Sequence, residues 1–471
     1  MELKNILWYI LPFLVRNIIP LISLPFFTRY LSPEEYGVLA LSVIYGLFIV
    51  GVLNLGLISA FERNYFKLKS TKERLELMWT CIIFVFINLT VGVILTFHFE
   101  ESLNKLLFGK KLPTYLTLLA IIHLSFKSIL QYFYIYLRNA KKANYYSAIS
   151  ISEAVLCVFM SVYFVLNQYG ILGYILGQAA GVIILFISVI FVFLFNNKIY
   201  FKLRLLKENL ALSLPLTPRI FFGTINTQFD RYMLGLLNSS AAVGLFDIAQ
   251  KIANTGFLFM TVLQQAYSPE VFSTYMDKPK QFSNHVGRFL APYFYVSLLF
   301  CLFLGVFAQE IIYLLTTPSY YDAYPIVVIL NMLYATYFFG KQPQLLLAKK
   351  TKLISFFSFM SLGLNILINF PLIKYYGILG AAWGTFITGI IVALISFYYS
   401  QKYAKINYSI YIYKIYLYFL TSMFGIFLMW FFQFNYISEV IIKIVILSGY
   451  FWLGYKFNFI NYKDFHKIFK V

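Results

Sequence analysis

Acidic residues are scarce in this chain: 18 Asp and Glu in 471 residues, against 38 Lys and Arg, with charge of both signs making up only 12%. A soluble domain carries about 25% charged and about 45–50% apolar residues. With 61% hydrophobic residues and a mean hydropathy of +0.76, a soluble globular protein is excluded. Cysteine is also rare. Cys81, Cys157 and Cys301 are the full set, and each falls inside an apolar run, so no disulfide framework or zinc site is implied. No Walker loop, dinucleotide fingerprint or metalloprotease helix occurs, so the sequence indicates no catalytic residue, no cofactor and no metal. A net charge of +20 would suit a nucleic-acid partner on a polar protein. Here the basic residues sit in short clusters between long apolar runs, which excludes nucleic acid and points to a polytopic membrane protein.

A helix needs about 20 apolar residues to cross the hydrocarbon core. Fourteen runs qualify: 5–28, 37–60, 78–98, 113–136, 145–167, 173–195, 212–236, 243–266, 287–308, 323–346, 353–373, 378–400, 410–432 and 440–457. The runs are continuously apolar, whereas barrel strands would alternate over about 10 residues. The expected fold class is therefore an all-α polytopic membrane protein with fourteen transmembrane helices. The first run is too long for a cleavable signal and carries Arg16. With the N-terminus placed inside, and Arg288 and Lys456 at the inner ends of their runs counted with that side, 25 of the 38 Lys and Arg fall on the cytoplasmic side, five outside and eight within the runs. That asymmetry predicts a multi-pass protein with both termini cytoplasmic.

The chain also repeats itself. Tyr-Gly-Ile-Leu-Gly at 169–173, with Gly177 four residues on, recurs at 376–380 with Gly384 four on. Ala140-Lys141-Lys142 recurs as Ala348-Lys349-Lys350, Gly37 as Gly244, Leu11-Pro12 with Arg16 as Leu214-Pro215 with Arg219, and Arg29-Tyr30 as Arg231-Tyr232. The offsets all lie near 207 and the order is the same, which marks a duplication. A unit of six spans returns the chain to its starting side, so the two copies should be parallel, related by an axis along the membrane normal. The expected organisation is a six-helix bundle at 1–201, a second at 212–402, and an appended helix pair with a cytoplasmic tail at 408–471.

The segments LPFFTRYLSPEEYG at 24–37 and DRYMLGLLNSSAAVGLFDIAQKIAN at 230–254 resemble the polysaccharide transporters of the multidrug/oligosaccharidyl-lipid/polysaccharide exporter superfamily, which include O-antigen and capsule flippases. The fourteen runs and the repeat fit the resemblance over the whole chain. It implies translocation of an undecaprenyl-diphosphate-linked oligosaccharide across the bacterial inner membrane. Membrane lipids and polysaccharide-assembly proteins would then be its partners. The first segment also has a local reading. Ser32, Pro33 and Glu35 suit Ncap, N1 and N3 of the second span, so Glu34 and Glu35 read as helix-start residues rather than a catalytic dyad. Asn238 and Ser239 suit the same role before the eighth span.

Apart from Arg288 and Lys456 at inner run ends, eight cations lie within the runs: Arg16, Lys127, Arg219, Arg231, Lys251, Lys341, Lys414 and Lys443. The clear intramembrane acids are Glu153, Asp230 and Asp247. Mid-membrane charge costs about 2.5–3.5 kcal/mol per residue on insertion scales and calls for a partner, water or a ligand. A diphosphate suits the surplus of bases, and arginine offers it a planar fork. Arg16 and Arg219, each four residues after a proline, are the foremost substrate candidates, followed by Lys127, Lys251, Lys341 and Arg231. Lys414 and Lys443, near run ends, are expected to snorkel. Pro12, Pro20 and Pro25, and Pro215 and Pro218, are expected to kink the first and seventh spans.

Any energy input must come without an ATP motif, so H+ or Na+ could couple at Glu153, Asp230 or Asp247. Of these, Glu153 has no basic neighbour one helical turn away. Two relatives of the flippase reading stay open: a peptidoglycan-precursor flippase and a multidrug or cation exporter, although the latter needs acids where this chain has bases. A polymerase or glycosyltransferase is disfavoured, because the longest outer segments, near 99–112 and 309–322, are too short for an acceptor site.

Overall fold

The computed structural model describes residues 3–108, 113–196, 198–340, 343–432 and 434–459. Among them there are helices and no strands. In chain order these are α1 (Leu3–Ile22), α2 (Leu24–Tyr30), α3 (Pro33–Leu53), α4 (Leu57–Tyr65), α5 (Thr71–Phe108) and α6 (Thr114–Asn139). Next come α7 (Ala143–Phe164), α8 (Gly170–Asn196), α9 (Leu203–Ser213), α10 (Thr217–Leu237), α11 (Ser240–Asp277) and α12 (Phe282–Val306). The rest are α13 (Ala308–Leu315), α14 (Tyr324–Gly340), α15 (Gln344–Leu347), α16 (Thr351–Tyr403), α17 (Ile410–Phe432) and α18 (Tyr436–Lys456). Lipid offers no hydrogen bonds, so a chain this apolar satisfies its backbone within each segment, as helices do. Among the described residues, ten stretches are long and apolar enough to cross a membrane.

Two of those stretches exceed 50 residues, and each contains a sharp break at the repeated glycine motif. Gly170 (φ 50°, ψ −133°) and Gly377 (φ 55°, ψ −129°) adopt the same conformation, which side chains resist, and each reverses the chain into a helical hairpin. Past the turn the arms touch: a Cβ on Gly177 would lie 2.2 Å from the Ser161 backbone, and one on Gly384 1.8 Å from the Asn369 side chain. The Ala-Lys-Lys repeats also share one geometry. Lys141 (φ 58°) and Lys349 (φ 55°) are left-handed, and the amides of Lys142 and Lys350 bond back to the carbonyls of Leu137 and Leu345.

The resemblance-bearing segments have a physical explanation. Ser32 Oγ accepts from the Glu35 amide at 3.3 Å while Glu35 Oε2 accepts from the Ser32 amide at 2.8 Å, completing the capping box that starts α3. Ser239 Oγ caps α11 by accepting from the Ala242 amide at 3.1 Å. These helix starts meet each other. A Cβ on Gly37 would fall 1.6 Å from the Ser240 carbonyl oxygen, and one on Gly244 would fall 2.0 Å from that of Pro33. Only glycine permits that crossing.

Three prolines act differently from expectation. Pro25 opens α2 after a break at Ser23, and Pro218 opens α10 after a 3-10 turn at Leu214–Leu216 that contains Pro215. A first helical turn has no amide bond for proline to break, so these residues begin helices instead of kinking them. Pro12 and Pro20 do lie inside α1.

By packing, the chain gathers into two compact units, residues 1–244 with 315–317, and residues 245–314 with 318–471. In the first, α3, α6 and α8 share a core at Leu39, Leu116, Ala120 and Ile175. In the second, α14 is enclosed by its neighbours, with Ile326 to Leu330 all fully buried. An all-round apolar helix is stable where water is excluded, by protein or by lipid.

The hairpin contacts make a stability prediction. Gly177→Ala should cost about 1–3 kcal/mol, because the clash is with backbone, and should lower the melting temperature of the purified protein in detergent. Gly223→Ala, with no heavy atom within 4 Å of the added methyl, should be neutral or slightly stabilising. Equal melting temperatures for the two variants would contradict the packing.

Candidate functional site

The strongest polar cluster in the first unit is built by three helices. On α7 the buried face reads Ser147, Ser150, Glu153, Cys157 and Ser161, one carboxylate in a row of small side chains. The small residues let α1 and α8 approach, and the Ser147 hydroxyl donates to the Trp8 carbonyl of α1. Arg16, two turns further along α1, donates through Nη2 to Glu153 Oε2. Tyr134 and Lys127 lie seven residues apart on α6, hence on one stripe. The Tyr134 hydroxyl donates to the same Glu153 oxygen, and Lys127 Nζ stands 3.6 Å from Oε1. The Arg16 guanidinium also lies over the Tyr134 ring, 4.7 Å from its centroid.

Exposure decides what this cluster can do. The Glu153 side chain is 5% exposed, that of Arg16 28% and that of Lys127 43%. The acid is buried behind two bases that keep an open face. One carboxylate against two cations leaves a positive charge among apolar helices, a setting that favours an anion. No helical-turn search finds these partners for Glu153, because they come from other helices.

The remaining candidates separate. Arg219 is the third residue of α10, so it lies in the first turn after the 3-10 break, not deep within a helix; its side chain falls outside the described residues, as does all of Lys341. Arg231 is half-buried and Asp230 buried, both on α10. On α11, Lys251 pairs with Asp247 at 2.7 Å in i,i+4 register, so each offsets the other's charge. Lys414 is exposed and lies 5.7 Å from the Tyr411 ring, as snorkelling requires. Lys443 does not snorkel: its side chain is 7% exposed and Nζ meets Glu310 Oε1 at 2.5 Å. Glu310 belongs to the short α13, which the sequence reading had as an outer loop. His123 is packed, with Nδ1 3.0 Å from the Gln178 carbonyl oxygen. Among the described residues, no group of three or more His, Cys, Asp or Glu side chains could hold a metal.

Tyr134 is the member of this cluster that sequence reasoning missed. Among 40 tyrosines it had no distinguishing mark except its seven-residue spacing from Lys127. Glu76 was missed too. It is buried on α5 and holds Lys202 at 2.6 Å, just before α9.

Comparison with known proteins gives the geometry a family. In solved structures, the chain matches the lipid II flippase MurJ in its inward closed conformation, with a TM-score of 0.72 and 19% identity over 96% of this chain and 99% of that one. A multidrug resistance MATE family transporter of the MOP superfamily, inward-facing, matches with a TM-score of 0.62 and 15% identity over 84% and 97%. At such identity these likenesses show a shared fold. The capsular polysaccharide biosynthesis protein CapF of Staphylococcus aureus is 26% identical over 218 residues, 44% of this chain and only 54% of CapF's own length. The family model described as polysaccharide biosynthesis protein matches residues 3–276, more than half of the chain, and the protein belongs to that family.

Proposed function

We propose that this protein is a flippase that carries an undecaprenyl-diphosphate-linked oligosaccharide, an O-antigen or capsule repeat unit, across the bacterial inner membrane by alternating access. Fourteen transmembrane helices, arranged as repeats 1–201 and 212–402 with an appended pair at 408–471, form the transporter in this reading. What carries it is the cluster at Glu153, where two part-exposed cations on transmembrane helices outnumber one buried acid. The family and the capsule-related relative support a polysaccharide cargo, and the fold shared with a lipid II flippase supports a lipid-linked one.

In this proposal Arg16 and Lys127 bind the diphosphate. Arg16 supplies paired donors positioned over the Tyr134 ring, and Lys127 supplies a mobile point charge. Glu153 is their counter-ion when no substrate is bound, and a proton on Glu153 would release both cations to the substrate. Binding linkage is reciprocal, so proton and diphosphate would favour each other's binding. Arg219, Arg231, Lys251 and Lys341 remain further substrate-binding candidates. Asp230 and Asp247 are secondary candidates for ion coupling.

The double variant Arg16→Ala/Lys127→Ala, made in a Glu153→Gln background so that no buried carboxylate is left unpaired, should abolish glycan export while its level in the membrane matches that of Glu153→Gln alone. Arg16→Lys should export more than Arg16→Ala but less than the parent, since it keeps the charge and loses the fork. Full export by the double variant would remove the cluster from substrate binding.

Coupling is tested in vesicles loaded with a defined lipid-linked oligosaccharide. Collapsing the proton gradient should slow transport by the parent and leave Glu153→Gln unaffected, while Asp247→Asn keeps the parent's response. A Glu153→Gln variant as sensitive as the parent would exclude Glu153 from coupling.

Orientation is tested by thiol labelling. The three native cysteines are buried. A cysteine at exposed position 238 or 374 should react with an impermeant reagent from outside, and one at exposed position 70 or 278 should not. Outside labelling at 70 would invert the topology.

A further inference from the structure

A second basic site lies wholly within the second unit and involves neither Arg16 nor Glu153. The segment 404–409 crosses the start of α12 at Gly287, where a Cβ would fall 2.1 Å from the Asn407 carbonyl oxygen. The Asn407 amide donates to the Ser283 carbonyl at 2.9 Å, and its side chain to Asn284 Oδ1 at 2.7 Å. After α18 the left-handed Asn458 (φ 56°) turns Phe459 back beneath Tyr295, with their rings stacked at 5.9 Å. These elements line an open cavity of about 1030 Å3, with Lys280, Arg288, Phe457 and Phe459 all contributing to the lining.

The cations in this cavity are uncommitted. Neither Lys280 nor Arg288 has an ion-pair partner among the described residues, and both are exposed. The nearby acid Glu270 is engaged with His285, 3.3 Å from its Nε2. The surroundings mark a membrane boundary. Tyr411 stacks on Phe457 at 4.4 Å, Lys456 Nζ lies 4.6 Å from the Trp452 ring, and the adjoining faces of α17 and α18 expose Ile410, Phe451 and Trp452. Aromatic rings and lysines at helix ends are how membrane proteins meet the headgroup layer. The loops around the cavity are on the side where the sequence concentrates its lysines and arginines.

We propose that this cavity binds the headgroup of an anionic phospholipid from the leaflet on the lysine-rich side. Its phosphate would sit on Lys280 and Arg288, and its glycerol and upper acyl chain on Phe457 and Phe459. A basic pocket between transmembrane helices on that side is suited to such headgroups. A soluble phosphate would use the cations and leave the aromatic rings idle.

The test uses the purified full-length protein in detergent, titrated separately with phosphatidylglycerol, phosphatidylcholine and inorganic phosphate. Bound lipid is counted by native mass spectrometry, and stability is read as melting temperature. Phosphatidylglycerol should bind and raise the melting temperature; the other two should do neither. Each cation near the membrane surface contributes about fivefold, so Lys280→Gln/Arg288→Gln should weaken phosphatidylglycerol binding by about 25-fold. Lys352→Gln, an exposed lysine on the same side, should bind like the parent. If the double variant fails to accumulate, Arg288→Gln alone should show about a fivefold loss. Three results would each overturn the proposal: unchanged binding in the variants, equal binding of phosphatidylcholine, or an equal shift with inorganic phosphate, which would make this a soluble-anion site.

Discussion

A carboxylate buried among apolar helices must be matched by positive charge, and Glu153 is matched from two helices at once. Removing one partner of a buried ion pair typically costs about 3–5 kcal/mol, because the other charge is left in poor solvent. That constraint ties α1 and α6 to α7 and orders several other features of the first unit. The small residues on the buried face of α7 make room for the approach. Pro12 removes a backbone bond from α1 one turn before Arg16. The stripe of α6 that carries Lys127 also brings Tyr134, whose hydroxyl occupies a lone pair that the cations leave open.

Much of this was legible in the sequence where the determinant is local. The cap at Ser32 needs four consecutive residues, and the helix start follows directly. The repeated Tyr-Gly-Ile-Leu-Gly and Ala-Lys-Lys segments adopt matching left-handed or glycine-only backbone conformations, as five near-identical residues in equivalent helical contexts should. Arg16, Lys127 and Glu153 could each be singled out, since an ionisable residue inside an apolar run is conspicuous. Their assembly could not be, because pairing between helices depends on rotation about each helix axis. A periodicity argument fixes which residues share a face but not which faces meet. Lys443 failed for the same reason: its partner lies 133 residues away on α13. Proline failed differently. Its effect reverses between a helix interior and a first turn, and apolar runs do not show where one helix stops and the next begins.

The crossing of α3 and α11 shows how a sequence signature can be steric. In LSPEEYG and NSSAAVG, the cap residues set where each helix begins and the glycine five residues later sets how closely the two starts pass. Gly37 and Gly244 are repeat-equivalent, and each has a backbone carbonyl of the other's helix start where its Cβ would be. Neither motif has a chemical role that would explain it alone; each is the other's binding surface.

Hydropathy separates two kinds of helix. α10 and α11 are long enough to cross a membrane but are absent from the ten stretches apolar enough to do so. Their deficit comes from identifiable residues: Arg219, Asn226, Thr227, Gln228, Asp230 and Arg231 on α10, and Asp247, Gln250 and Lys251 on α11. A helix surrounded by lipid would pay several kcal/mol for that content. The stable setting for such helices is against protein or water, and Asp230 and Asp247 are indeed buried. α14 shows the opposite extreme, an apolar helix enclosed by protein on every side. Burial in a membrane protein therefore does not follow apolarity. The acids of the polar helices are buried because lipid rejects charge, whereas apolar helices can face lipid or protein. For the same reason, the residues that lower a span's hydropathy are the first place to look for its chemistry.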